Sequence, residues 1–93
     1  MKITPDIIRY EFIGTEGKVT ASPHEGYVGL SGLVVGETRN TFSFFNKGKA
    51  KNIIKESAIF NFEFDDGTIV EIDGKLLVGR TEDRIKKSIK RLW

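Results

Sequence analysis

Between residues 18 and 73 apolar positions alternate with polar ones in short runs broken by turn residues, whereas the two flanking stretches repeat at helical spacing. The central pattern predicts six short strands, at residues 18–21, 30–37, 41–45, 50–55, 58–64 and 68–73. Phe60, Phe62 and Phe64 alternate with Asn61 and Glu63, the signature of a half-buried antiparallel strand with an aromatic face turned inward. Asp65-Asp66-Gly67 contains the Asp-Gly pair that tight hairpins favour, and Asn46-Lys47-Gly48-Lys49 marks a second turn. Gly29, Gly32 and Gly36 fall in or beside the second strand, where glycine weakens pairing unless the strand bends sharply. A closed or nearly closed barrel is therefore expected over a flat sheet.

Thr4-Pro5-Asp6 supplies an N-cap, a proline at the first helical position and an acid in the first turn, so residues 5–12 read as a short helix ended by Gly14. Ile7, Ile8, Phe12 and Tyr10 would face the body of the domain. A second helix is expected over residues 81–92, with Thr81 as N-cap, Glu82 and Asp83 in the first turn, and Lys90 and Arg91 in the last. At about 100° per residue, Ile85, Ile89 and Leu92 form a narrow apolar stripe. Arg84, Lys86, Lys87, Lys90 and Arg91 occupy the opposite arc. The chain thus reads as one mostly β domain over residues 1–93, with a helix at each end.

Composition narrows the function. Seven Phe, two Tyr and one Trp in 93 residues give one core bulky filling, and ten Gly fit many tight turns. The absence of Cys removes disulfide frameworks and thiolate metal sites and fits an intracellular, cytoplasmic setting. No apolar run approaches the roughly 20 residues of a membrane span, and the amino-terminal residues show no signal-peptide pattern. The net charge of +2 divides unevenly: −2 over residues 1–38, +5 over 39–55, −6 over 56–74 and +5 over 75–93. Such blocks either pair across neighbouring strands or present a positive surface to a polyanion.

Catalytic candidates are sparse. His24, the single histidine, sits in the polar loop Ser22-Pro23-His24-Glu25-Gly26 without a nucleophile partner. Glu63, Asp65, Asp66, Glu71 and Asp73 could in principle hold Mg²⁺, but hairpin and turn chemistry accounts for each of them. No cofactor is expected in this chain. Lys and Arg near a helix C-terminus favour its dipole, yet seven cations in residues 75–93 exceed that need. Phosphate neutralisation rewards such clustering through counterion release. Arg39 and Arg80 are the candidates for specific contacts, because a guanidinium binds phosphate bidentately.

Two segments then carry a resemblance. Residues 29–41, Gly-Leu-Ser-Gly-Leu-Val-Val-Gly-Glu-Thr-Arg-Asn-Thr, and residues 73–84, Asp-Gly-Lys-Leu-Leu-Val-Gly-Arg-Thr-Glu-Asp-Arg, resemble the archaeal ribonuclease P protein component 1 family, counterpart of eukaryotic Pop4. With Tyr10-Glu11-Phe12-Ile13-Gly14 and Phe62-Glu63-Phe64-Asp65-Asp66-Gly67-Thr68, the match covers nearly the whole chain. It departs from the family pattern at Thr81, where proline is common, and in a shorter amino end. The resemblance implies an Sm-like antiparallel barrel with terminal helices, inside a ribonucleoprotein that removes 5′ leaders from precursor tRNA. Catalysis there belongs to the RNA and its Mg²⁺, and the protein would stabilise the folded RNA and help hold substrate.

The resemblance assigns RNA contact to Arg39, Lys75, Arg80, Arg84, Lys86, Lys87, Lys90 and Arg91. It also implies a zinc-ribbon partner, protein component 4, meeting Ile7, Ile8 and Tyr10. Beside it stand two rivals: a protein-interaction module whose basic helix is a solvated face, and a free-standing nuclease.

Overall fold

The computed structural model describes residues 4–85. Six antiparallel strands form one sheet: β1 (Glu16–Ala21), β2 (Ser31–Glu37), β3 (Thr41–Asn46), β4 (Lys49–Ile54), β5 (Ile59–Glu63) and β6 (Ile69–Asp73). Their order across the sheet is β4-β3-β2-β1-β5-β6. Each predicted strand is present, with ends shifted by a residue or two.

Of the closed or nearly closed barrel expected, full closure is not seen among the described residues. β4 and β6 stand at opposite edges, and no ladder joins them among the described residues. The sheet is nevertheless far from flat. β3 and β5 lie three strand spacings apart in the sheet order, which in a flat sheet is about 14 Å. Yet the Phe42 ring sits 5.5 Å from both Phe60 and Phe62, and Phe44 lies 5.9 Å from Phe60. Only strong curling brings these rings together. Register shifts between Val19 and Ala21 and between Val34 and Gly36 supply local bends, since a bulge increases the twist of its strand.

Alternation decides which residues fill the curl. Val19, Val34, Phe42, Phe44, Ile53, Phe60, Phe62, Val70 and Ile72 all point inward and are buried. Phe12, fully buried, closes the core with its ring 4.4 Å from Phe62. Where the two sheet edges fail to pair, short 3-10 turns meet instead. The turn after β4 (Lys55–Ser57) packs on the turn after β6 (Gly74–Leu77), and the Gly74 N–H donates to the Ala58 carbonyl at 2.9 Å. A Cβ at Gly74 would overlap the Lys55 carbonyl oxygen, so only glycine permits this approach.

The terminal elements also differ from expectation. The amino-terminal helix is a 3-10 turn, Pro5–Arg9, ended by Tyr10 in an extended conformation. A helix this short has little stability of its own. The chain leaves it so that Phe12 can enter the core alongside Ile7 and Ile8. These two isoleucines are 2% and 0% exposed, so they belong to this chain's own core and are not a partner interface. Tyr10 stays half-exposed.

At the other end, helix α1 is described over Thr81–Arg84, with Arg80 as N-cap, one residue earlier than predicted. The Arg80 N–H donates to the Asp83 carboxylate at 3.4 Å. Arg84 points inward and is fully buried, while Ile85 is 54% exposed. The face expected to dock is therefore wrong at this end of the helix, by about one residue's rotation. Lys86, Lys87, Ile89, Lys90, Arg91 and Leu92 lie outside the described residues.

Candidate nucleic-acid interface

Glu37, the last residue of β2, is the organising group of the region that carries Arg39 and Arg80. Its carboxylate is 4% exposed and accepts from two fully buried cations, Lys55 at 2.8 Å and Arg84. The Thr81 hydroxyl donates to it at 3.1 Å. Alternation along β2 explains why the side chain is there: Val34 points inward, and the bulge before Gly36 resets the phase so that Glu37 reaches the rim of the core.

Burial of two cations against one anion leaves an excess positive charge, which carbonyl oxygens satisfy. The Lys55 ammonium donates to the carbonyls of Thr38, Arg39 and Gly79 at 2.9, 3.2 and 2.8 Å. Arg84 donates through Nε to Ile8 O at 2.7 Å and through Nη1 to Leu77 O at 3.1 Å and Gly79 O at 2.6 Å. Aromatic faces complete the enclosure. Lys55 Nζ lies 4.6 Å from the Phe42 centroid, and the Arg84 guanidinium lies 5.5 Å from that of Phe12.

This buried knot ties four segments together: the amino-terminal turn, the β2–β3 loop, the end of β4 and α1. Its consequence lies on the surface. The Gly79 N–H donates to Arg39 O at 2.7 Å, fixing the β2–β3 loop against the entry to α1. Arg39 lines a shallow cleft of about 260 Å³ with Val78, Gly79 and Asp83, and Arg80 begins α1 beside it. Both arginine side chains are exposed. The Gly79–Arg39 hydrogen bond thus sets the backbones at Arg39 and Arg80 close to one another, with both side chains exposed on one rim.

The remaining predicted contacts separate. Lys75 is exposed but lines a different groove, where Glu56 and Asp73 share its surroundings. Arg84 leaves the set of phosphate contacts, because every nitrogen of its guanidinium is turned inward to oxygen acceptors of the chain itself. Lys86, Lys87, Lys90 and Arg91 are outside the described residues. Glu37 and Lys55 are the residues that sequence reasoning missed. A signal existed: Glu37 closes an apolar strand, and Lys55 follows Ile53-Ile54, so both ionisable groups border segments destined for the core.

His24 is exposed in its loop, its backbone N–H donating to the Ser22 hydroxyl at 3.0 Å, and its ring centroid lies 5.1 Å from that of Tyr27. Among the described residues no group of three or more His, Asp or Glu side chains could hold a metal ion. No helix among them is long and apolar enough to cross a membrane.

By fold and site, then, this is a small curled-sheet protein whose exposed rim carries Arg39 and Arg80 beside Asp83 and is fastened to the core from beneath. The chain belongs to the ribonuclease P/MRP subunit p29 family, whose model matches residues 5–87. Ribonuclease P protein component 1 of Methanosphaera stadtmanae is 41% identical over 91 residues, which cover 97% of this chain and 98% of the relative. The protein of the same description from Methanothermobacter thermautotrophicus is 43% identical over 91 residues, covering 96% and 98%. Among solved structures, Mth11, described as a homologue of human RNase P protein Rpp29, is 42% identical with a TM-score of 0.61, covering 82% of this chain and 99% of that one.

Proposed function

We propose that this chain is a non-catalytic, RNA-binding protein subunit of ribonuclease P, the ribonucleoprotein that matures tRNA 5′ ends by endonucleolytic cleavage of precursor tRNA. The observation that carries this reading is identity above 40% with ribonuclease P protein component 1 over nearly the full length of both chains. The chemistry of the site agrees with it, since the exposed rim offers guanidinium groups. Cleavage belongs to the RNA and the Mg²⁺ it holds, and the protein stabilises the folded RNA and helps it hold precursor tRNA.

Arg39 and Arg80 anchor the phosphate-binding surface in this reading, Lys86, Lys87, Lys90 and Arg91 add to it, and Lys75 makes a separate contact. The curled sheet corresponds to an Sm-like barrel left unpaired between β4 and β6, and the chain to the archaeal counterpart of Pop4, working in the cytoplasm. A zinc-ribbon partner, protein component 4, meets the amino-terminal flank through Tyr10 and its exposed neighbour Ile13.

Reconstitution of tRNA 5′ processing from ribonuclease P RNA and its proteins tests the reading. Omitting this chain should slow cleavage and raise the Mg²⁺ needed, and the chain alone with Mg²⁺ should cleave nothing. Equal rates with and without it, or cleavage by the protein alone, would overturn the assignment.

A further inference from the structure

A second cationic feature lies away from the Arg39–Arg80 rim, at the β3–β4 hairpin. Lys47, Lys49 and Lys51 surround a pocket of about 440 Å³ whose other walls include Leu30, Phe44 and Asn46. That volume is in the range of small-molecule sites. All three lysines are exposed, and none forms an ion pair with a carboxylate among the described residues. The charge block that carries them is likewise free of acidic residues in the sequence. Asn46 is held in place by its Nδ2 donating to the Ser31 carbonyl at 3.0 Å, which leaves its side-chain oxygen as an acceptor at the pocket wall.

The turn itself gives an independent sign. Lys47 has φ 52° and Gly48 φ 79°, so both central residues of the two-residue hairpin are left-handed. Such turns favour Asn, Asp or Gly at the first position, and a lysine there is conformationally disfavoured. Lys47 is the one non-glycine residue with positive φ among the described residues. Residues held in this way concentrate at sites of function. Here the unfavourable choice places a third ammonium beside the pocket.

We infer that this pocket receives one nucleotide of a single-stranded RNA segment, its phosphates on Lys47, Lys49 and Lys51 and its base against Leu30, with the buried Phe44 as the floor beneath. The proposal rests on the RNA-binding reading above but concerns a different surface from the arginine rim. Ammonium groups alone would suit any anion. An apolar wall and a side-chain acceptor beside them suit a ligand with a phosphate, a flat ring and ring donors. A duplex keeps its bases stacked and cannot offer one to a pocket.

Fluorescence anisotropy with the full chain and a labelled single-stranded RNA of about eight nucleotides tests this, since single-strand sites span several nucleotides. Replacing Lys49 and Lys51 together by Ala should weaken binding about tenfold and flatten the salt slope by about 1.4, at ~0.7 per lost phosphate contact. Lys47→Asn should weaken binding while raising the melting temperature, because Asn suits the turn better. AMP should displace the strand at lower concentration than inorganic phosphate or polyglutamate, and the matching duplex should bind more weakly.

Unchanged affinity in the lysine variants overturns the pocket, as does equal displacement by phosphate or by polyglutamate, or equal binding of the duplex. The outcomes separate from those for the subunit reading. If the lysine variants bind the single strand normally while Arg39→Ala weakens binding to ribonuclease P RNA, the pocket fails and the subunit assignment stands. If the pocket behaves as described but tRNA processing is indifferent to the chain, the reverse holds.

Discussion

Three ionisable side chains, Glu37, Lys55 and Arg84, share a volume from which water is almost excluded. Removing Glu37 leaves two buried cations without their anion, at a cost of about 3–5 kcal/mol, and removing Arg84 takes the partner from the buried carbonyls of Ile8 and Leu77 and opens a cavity, a loss of similar size. Glu37→Ala and Arg84→Ala are each expected to lose stability on that scale, read as a lower urea midpoint with unchanged slope. Arg39→Ala is expected to leave the midpoint within about 0.5 kcal/mol, as surface substitutions do, and to act on RNA affinity instead. The contrast separates two arginines that look equivalent in the sequence. Helical projection put Arg84 among the exposed cations because an amphipathic pattern assumes that apolar residues face inward. A buried carboxylate reverses that assumption locally, and Glu37 lies 47 positions away from Arg84, beyond the reach of any periodicity.

At the scale of the elements, period-two alternation and turn residues located all six strands, because strand faces and hairpin turns are written in neighbouring residues. Two short elements were not legible. The 3-10 turns at Lys55–Ser57 and Gly74–Leu77 exist because they pack on each other across the gap between the sheet edges, a contact between residues far apart in sequence. Gly74 is where that contact is least tolerant. Gly74→Ala should displace one turn from the other and lower the melting temperature sharply, whereas Gly67→Ala, with open space around its Cβ, should cost only the strain of its positive φ. Thermal unfolding of the two variants compares them directly. Closure was illegible for a related reason: glycines signalled the curvature that is seen, but whether two edges finally pair depends on where the whole sheet brings them.

Across the whole molecule, the uneven charge becomes a set of separate surfaces. The cations of residues 39–55 divide between the arginine rim, the buried knot and the β3–β4 hairpin, while Glu16 and Glu63, opposite each other on β1 and β5, lie on the outer face of the sheet. A polyanion should therefore approach from particular sides, and the logarithm of its affinity should fall linearly with the logarithm of salt concentration. Replacing Arg39 and Arg80 together by Ala should make that line shallower by one to two units for ribonuclease P RNA, about one per lost contact. A parallel line of lower intercept would deny them phosphate contact.

The knot has a further consequence, for the order in which the molecule forms. Its members come from positions 37, 55 and 84, so the curled sheet can be complete while the last cation is still missing. On a ribosome, Arg84 emerges after every strand, and the loop that carries Arg39 gains its anchor to Gly79 only once that final stretch has emerged. The rim is thus the last part of the molecule to be fastened, and organised RNA contact there waits for the segment that brings Gly79 and Arg84 into place.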